Sequence, residues 1–232
     1  MAIAFNAVTA AKTVLTVSSI TYAHDVGSGA NRFLSVTQSW NDNGTGAIEQ
    51  VGATYNGDAM TLVAGADAAS GAVELYLYQL ANPDSGSNNV VVTRDVSVLT
   101  QYDSFAQSYT GVNQAAPVDV FNEDALTASS DDPFTISVTT TVENTWIVGA
   151  ASEDQGLIAN GPAGANTTYR ESPQYNQQGA DSGGARASGA NALNWERNSP
   201  VAGNLVGVIM AIKPAAGGAA VVHPTLLLMS VG

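Results

Sequence analysis

His24 and His223 are the only imidazoles in the chain. Asp25 follows His24 directly, and in a strand adjacent side chains point to opposite faces, so the two do not form a dyad. No Gly-x-Ser-x-Gly elbow is present. Cysteine is absent, which removes thiol nucleophiles, CxxC metal sites and disulfides together. A retaining glycosidase needs two carboxyls about 5 Å apart, which on a strand calls for acids two residues apart. The acidic pairs here, Glu123-Asp124, Asp131-Asp132 and Glu153-Asp154, are adjacent, and Glu171 and Glu196 stand singly. Strand geometry splits each adjacent pair across a sheet, so no catalytic residues and no enzymatic activity are expected.

Hard oxygen ligands suit calcium, and Asn41-Asp42-Asn43-Gly44 and Asp131-Asp132 are the places where it would bind. Neither has EF-hand spacing, and turn chemistry accounts for both, so neither a metal nor a cofactor is expected. Five aromatic side chains are candidates for stacking on a sugar ring: Tyr76, Tyr78, Tyr169, Tyr175 and Trp195. Aromatics in a sandwich more often anchor a core or an interface.

The elements that would position any site are strands. Ala47–Tyr55 reads as a strand ending at Asn56-Gly57, the pair that a type I′ hairpin turn favours because both central residues need φ > 0. A return strand follows at 59–64. In 73–80, Val73, Leu75 and Leu77 point one way and Glu74, Tyr76 and Tyr78 the other, as for a strand with one side on a core. Asn82-Pro83-Asp84-Ser85-Gly86 is a turn, and 89–93 closes a meander of about four strands. Further strands are expected at Val14–Val17, Arg32–Trp40, Asp103–Tyr109, Phe134–Thr139, Thr145–Ala151 and Leu205–Ile212. Phe134–Thr139 has the clearest period-2 alternation. Residues 111–130 read as a long connection, and residues 152–203 are rich in Gly, Asn, Ser, Gln and Ala. Within them 167–170 and 191–197 are candidate strands, and 179–189 reads as a loop.

Composition sets outer bounds. A chain of 232 residues that is 45% hydrophobic can form one large β domain. Seven basic residues face twenty acidic ones, for a net charge of −13. That balance argues against nucleic acid and against an anionic membrane surface. Met1–Asn6 has neither a basic segment nor a long apolar run, so no signal peptide is expected, and no stretch reaches the length of a membrane span. After Pro214, residues 215–220 form a linker. Residues 221–231 then carry seven large aliphatic side chains: Val221, Val222, Leu226, Leu227, Leu228, Met229 and Val231. Left in water they would make an adhesive edge, so they are the candidate partner-binding residues, an arm that adds to a neighbouring sheet. The organisation expected is a sandwich domain over 1–214 and a linker with an apolar C-terminal arm over 215–232.

Several blocks carry a resemblance: Thr54–Val63, Val73–Tyr78, Ala81-Asn82-Pro83, Val90–Val92, Ser108–Val118 and Val206–Pro214. Together they resemble a β-sandwich module of jelly-roll, concanavalin-like type found in tailed-phage virion structural and decoration proteins. The blocks mark turns and strands rather than chemistry. The resemblance implies an all-β antiparallel sandwich of jelly-roll type in a phage virion, assembled in the host cytoplasm. It further implies a capsid decoration, cement or head-projection protein, partnered by the major capsid protein, another virion protein or copies of itself. The second expectation is a carbohydrate-binding module on a host-recognition fibre, with a glycan as ligand.

Overall fold

In a strand buried on both sides, side chains of both parities are apolar or paired, and several segments here have that character. The computed structural model describes residues 1–13, 17–40, 51–68, 72–98, 102–154, 166–170, 177–197 and 202–216. They form sixteen strands, with no helix among the described residues. In chain order these are β1 Ala4–Thr13, β2 Val17–Val26, β3 Phe33–Trp40, β4 Val51–Tyr55, β5 Asp58–Ala59, β6 Thr61–Ala68, β7 Val73–Ala81 and β8 Gly86–Val98. The second half holds β9 Tyr102–Thr110, β10 Val118–Ser129, β11 Phe134–Thr140, β12 Trp146–Glu153, β13 Thr168–Tyr169, β14 Gln177–Asp181, β15 Gly189–Trp195 and β16 Gly203–Ile212.

The architecture is an antiparallel β-sandwich. Two five-stranded sheets, β1-β9-β3-β7-β6 and β10-β16-β12-β14-β13, face one another. Phe33, Leu75, Leu77 and Tyr109 of the first meet Trp146, Val148, Val208 and Met210 of the second in one apolar seam. Each sheet is covered again on its other face. The four-stranded sheet β2-β8-β4-β5 packs Tyr55, Val90 and Val92 against Leu34, Val36, Tyr76 and Tyr78. The two-stranded sheet β11-β15 packs Phe134, Ile136, Leu193 and Trp195 against Ile147, Leu205 and Ile209. The middle strands β3, β9 and β12 are therefore buried at nearly every position, whereas β11 has one dry face and alternates strictly.

This layering corrects four local readings. The 73–80 run has no open face: Glu74, Tyr76 and Tyr78 lie under the β8-containing sheet. The segment from Val51 onward is not a single meander. Asn56 and Gly57 make the expected positive-φ turn, at 51° and 89°, but after β5 the chain crosses to the neighbouring sheet as β6. Residues 118–129 are a strand, β10, at the edge of its sheet beside β16; edge exposure mixes polar and apolar residues and hides the period. Residues 179–181, read as loop, belong to β14, where a Cβ on Gly179 would lie 1.9 Å from Cε1 of Phe105. The first strand is β1, and of the expected Val14–Val17 strand only Val17, the start of β2, lies within the described residues.

His24 ends up buried on β2, its Nδ1 3.0 Å from the Thr9 hydroxyl. Burial lowers its pKa from 6.5 to about 4, opposed by the charge of Asp25. The unfolded chain therefore takes up a proton that the fold refuses. The associated stability is complete above pH 6.5 and is lost as pH falls through about 4. A gap of that size corresponds to about 3 kcal/mol. A His24→Gln variant should show a flatter dependence of melting temperature on pH between 7 and 4 than the parent. Parallel curves would rule out His24 as the group responsible.

Candidate docking site

The two ends of the described chain are stitched to one short segment. Val112 bridges Pro214, Asn113 N donates to the Lys213 carbonyl at 2.9 Å, and Ala215 N donates to the Gly111 carbonyl at 2.7 Å. The Met1 amino group donates to the Ala215 carbonyl at 2.9 Å. Gly111 has φ of 75°, and a Cβ there would lie 2.1 Å from the Ala2 carbonyl oxygen, so only glycine lets the amino end pass this close. Two of the blocks quoted above, Ser108–Val118 and Val206–Pro214, thus meet in space.

Beside this junction lies a cavity of about 670 Å³, the size range of built binding pockets. Its walls come from Met1 and Ile3, from Val142 and Trp146, and from Pro214 and Ala216. The lining is chiefly apolar, with Asn144 among the few side-chain polar groups. Ala216, the last described residue, is part of the cavity wall.

A buried polar network packs against Trp146, one of the residues that line the cavity. Asp181 is fully buried, and Arg170 grips it twice, at 2.5 and 2.8 Å. The Tyr109 hydroxyl donates to the same carboxylate at 2.9 Å, and Gly183 N donates at 2.7 Å. Burial and the Asp181 charge push the Tyr109 phenol well above its ordinary pKa, so it stays a neutral donor. The Arg170 guanidinium lies 4.0 Å from the Phe5 ring centroid and 6.0 Å from that of Trp146, and Trp146 packs edge-on against Tyr109 at 5.9 Å. The network links both facing sheets and fixes the Trp146 indole.

Arginine is used internally elsewhere too. Arg197 pairs with Glu153, both side chains fully buried, and also donates to the Ser129 carbonyl. Arg94 is 3% exposed and stacks 4.5 Å from the Trp40 ring. Arg32 donates to the carbonyls of Pro83 and Gly29. Arg186 binds Asn166 through both its side-chain oxygen and its carbonyl.

Among the described residues, no group of three or more His, Asp or Glu side chains is placed to hold a metal. A scan of protein-family models finds no match to this chain, and a search of curated proteins finds none either.

The sequence candidates fall as follows. Val221, Val222, Leu226, Leu227, Leu228, Met229 and Val231 lie outside the described residues, as do Asn41–Gly44, Glu171 and Tyr175. Asp132 accepts from Arg197 N at 3.0 Å, tying the segment before β11 to the residues just after β15. Glu123 accepts from Gly65 N, tying β10 to β6. Asp154 caps Asn204. Of the aromatics, Tyr76, Tyr78 and Trp195 are buried, so they form no platform, and the Tyr169 hydroxyl accepts from Glu196 N. A smaller polar cleft of about 280 Å³ is lined by Ser137, Asn166, Arg186, Asn191 and Asn194. The sequence reading missed the Trp146 cavity and the Asp181 network, whose members lie 61 or more positions apart in part and show no local spacing signal.

Proposed function

We propose that the protein is a structural component of a phage virion, a capsid decoration or head-projection protein that is held in its assembly by the apolar arm of residues 221–231. One observation carries the reading: beyond Pro214 and the small-residue stretch 215–220, the sequence carries a segment with seven large aliphatic side chains. The described residues pack into three dry seams, and on this reading the arm is taken up by a neighbour. The net charge of −13 suits a module that recognises protein rather than nucleic acid. Burying such a segment contributes several kcal/mol at roughly 25 cal/mol per Å², less the entropy of ordering it.

The test uses the full chain with Leu227→Ser and Leu228→Ser together, labelled and mixed with particles made from the genome that encodes the protein but lacking it. The parent should decorate them in electron micrographs, and the double variant should not. A parent that leaves the particles bare would remove the virion reading.

The polar cleft beside Asn191 favours a second reading, a carbohydrate-binding module. Amide and guanidinium groups can hydrogen-bond sugar hydroxyls, although no aromatic side chain lines that cleft among the described residues. Titration of a glycan panel, repeated with Asn194→Ala, separates this reading from the first.

A further inference from the structure

We infer that the polar cleft beside Arg186 takes an acidic sugar, a pyranose bearing one carboxylate, and that Arg186 is the group that holds the acid. This rests on the carbohydrate reading of that cleft and names the class of sugar; it does not depend on the virion reading. The cleft measures about 280 Å³, near the lower end of the range for small-molecule pockets, which suits a single sugar unit. Its floor is the outer face of the β11-β15 sheet, where Ser137 lies opposite Ala192 and the exposed Ala190 opposite Thr139. Asn166, Arg186, Asn191 and Asn194 complete the lining.

Arg186 is a fixed cation without an anion. Its Nη1 donates to Asn166 Oδ1 and its Nη2 to the Asn166 carbonyl, each at 2.8 Å, and Nη2 also donates to the Ser182 carbonyl. All three acceptors are neutral, and among the described residues no carboxylate pairs with it, whereas Arg170 and Arg197 are paired with Asp181 and Glu153. Three bonds leave two of the five guanidinium N–H groups for a ligand. The main chain is held as well, with Arg186 N donating to the Thr145 carbonyl at 2.7 Å. The amides beside it offer both signs. Asn194 Oδ1 accepts from the Thr135 hydroxyl at 2.7 Å, which leaves its Nδ2 as a donor. Asn191 Nδ2 donates to Thr140 Oγ1 and to the Ala187 and Gly189 carbonyls, which leaves its Oδ1 as an acceptor. Sugar hydroxyls both donate and accept. With no aromatic ring in the lining among the described residues, a sugar here is held by hydrogen bonds alone. Neutral ones largely replace bonds to water, while those to an ionised group are about twice as strong, so the cleft favours a sugar that brings a carboxylate to Arg186. The net charge of −13 repels acids from the surface at large, so an acid is retained only where a cation is fixed.

The experiment titrates the full chain, labelled with ¹⁵N, and follows backbone amide shifts. The probes are the methyl glycosides of glucuronic, galacturonic and N-acetylneuraminic acid, each beside its carboxamide, which keeps the shape and removes the charge. At least one acid should bind, shifting amides around Ala190 and Arg186, and roughly tenfold or more tightly than its carboxamide. Arg186→Met should erase that preference. Ala190→Glu, which sets a carboxylate on the cleft floor and leaves the contacts of Arg186 in place, should weaken the acid roughly tenfold and the carboxamide far less; it decides the matter if Arg186→Met does not fold. Equal binding of acid and carboxamide overturns the inference and leaves the carbohydrate reading standing. Binding of acetate as tight as that of the acidic sugars also overturns it, since the cleft then selects an anion and not a sugar. An acid preference that survives both Arg186→Met and Ala190→Glu places the acid elsewhere and overturns it too. No shift with any acid or carboxamide overturns it, and with no shift from the neutral glycan panel removes the carbohydrate reading as well.

Discussion

Replacing Asp181 with alanine is expected to destabilise the fold by about 3–5 kcal/mol, the range for breaking a buried ion pair from one side. The carboxylate is fully buried and receives the Arg170 guanidinium twice, the Tyr109 hydroxyl and the Gly183 amide. Arg170 keeps 18% of its side-chain surface exposed, so part of its charge regains water, which places the loss toward the lower end. Tyr109 also bonds Gln107 and keeps one partner. Asp181→Asn preserves shape and acceptor oxygen and should cost less. Adding Arg170→Met to Asp181→Ala should recover part of the loss, because it removes the orphaned cation. Urea titration of the four proteins measures all of this. An Asp181→Ala midpoint close to the parent's would mean that the network is ornamental to stability.

The second large effect is expected at Gly179. A Cβ built there lies 1.9 Å from Cε1 and 2.1 Å from Cζ of Phe105, well inside any real contact. Phe105 is 4% exposed and Gly179 sits on β14, which pairs with β12 in mid-sheet, so the ring has no free direction to retreat. Gly179→Ala should cost about 1–3 kcal/mol, the usual penalty for overpacking a filled core. Phe105→Leu in the same chain should restore much of that loss. Gly149 provides the contrast. There an added Cβ meets the Val208 carbonyl oxygen at 2.2 Å, a backbone wall, and no side-chain substitution should rescue Gly149→Ala. If Phe105→Leu fails to relieve Gly179→Ala, the ring is not what excludes the methyl group.

The sequence is most readable where one face of a strand is dry. Phe134–Thr140 alternates along its whole length because the two-stranded sheet it forms with β15 has one covered face, and Asn56-Gly57 marks the turn between β4 and β5 because few other residues tolerate both positive φ values. Between sheets the signal fails for a physical reason. Glu74, Tyr76 and Tyr78 look like a solvent face, yet the Tyr76 hydroxyl donates to Glu74 Oε2 at 2.8 Å and Trp40 stacks on Tyr76 at 5.2 Å. A buried face that satisfies its own polar groups has the composition of an exposed one. β10 fails in the opposite way, its edge position leaving Phe121 54% exposed. The site shares this limit. The arm is plain as a run of aliphatic residues, whereas the cavity is assembled from Ile3, Val142, Trp146 and Pro214, which no spacing rule connects.

The inward placement of arginine makes each molecule behave toward its neighbours as a like-charged colloid. Arg94, Arg170 and Arg197 lie under or against aromatic rings and carboxylates, and Arg32 and Arg186 are committed to carbonyls, so the outer surface holds few cations to offset its acids. At physiological ionic strength the repulsion fades over about 8 Å, and at 0.01 M over about 30 Å. Like-charged copies of the chain are therefore held apart in dilute salt and approach one another more readily as the counter-ion concentration of the surrounding solution rises.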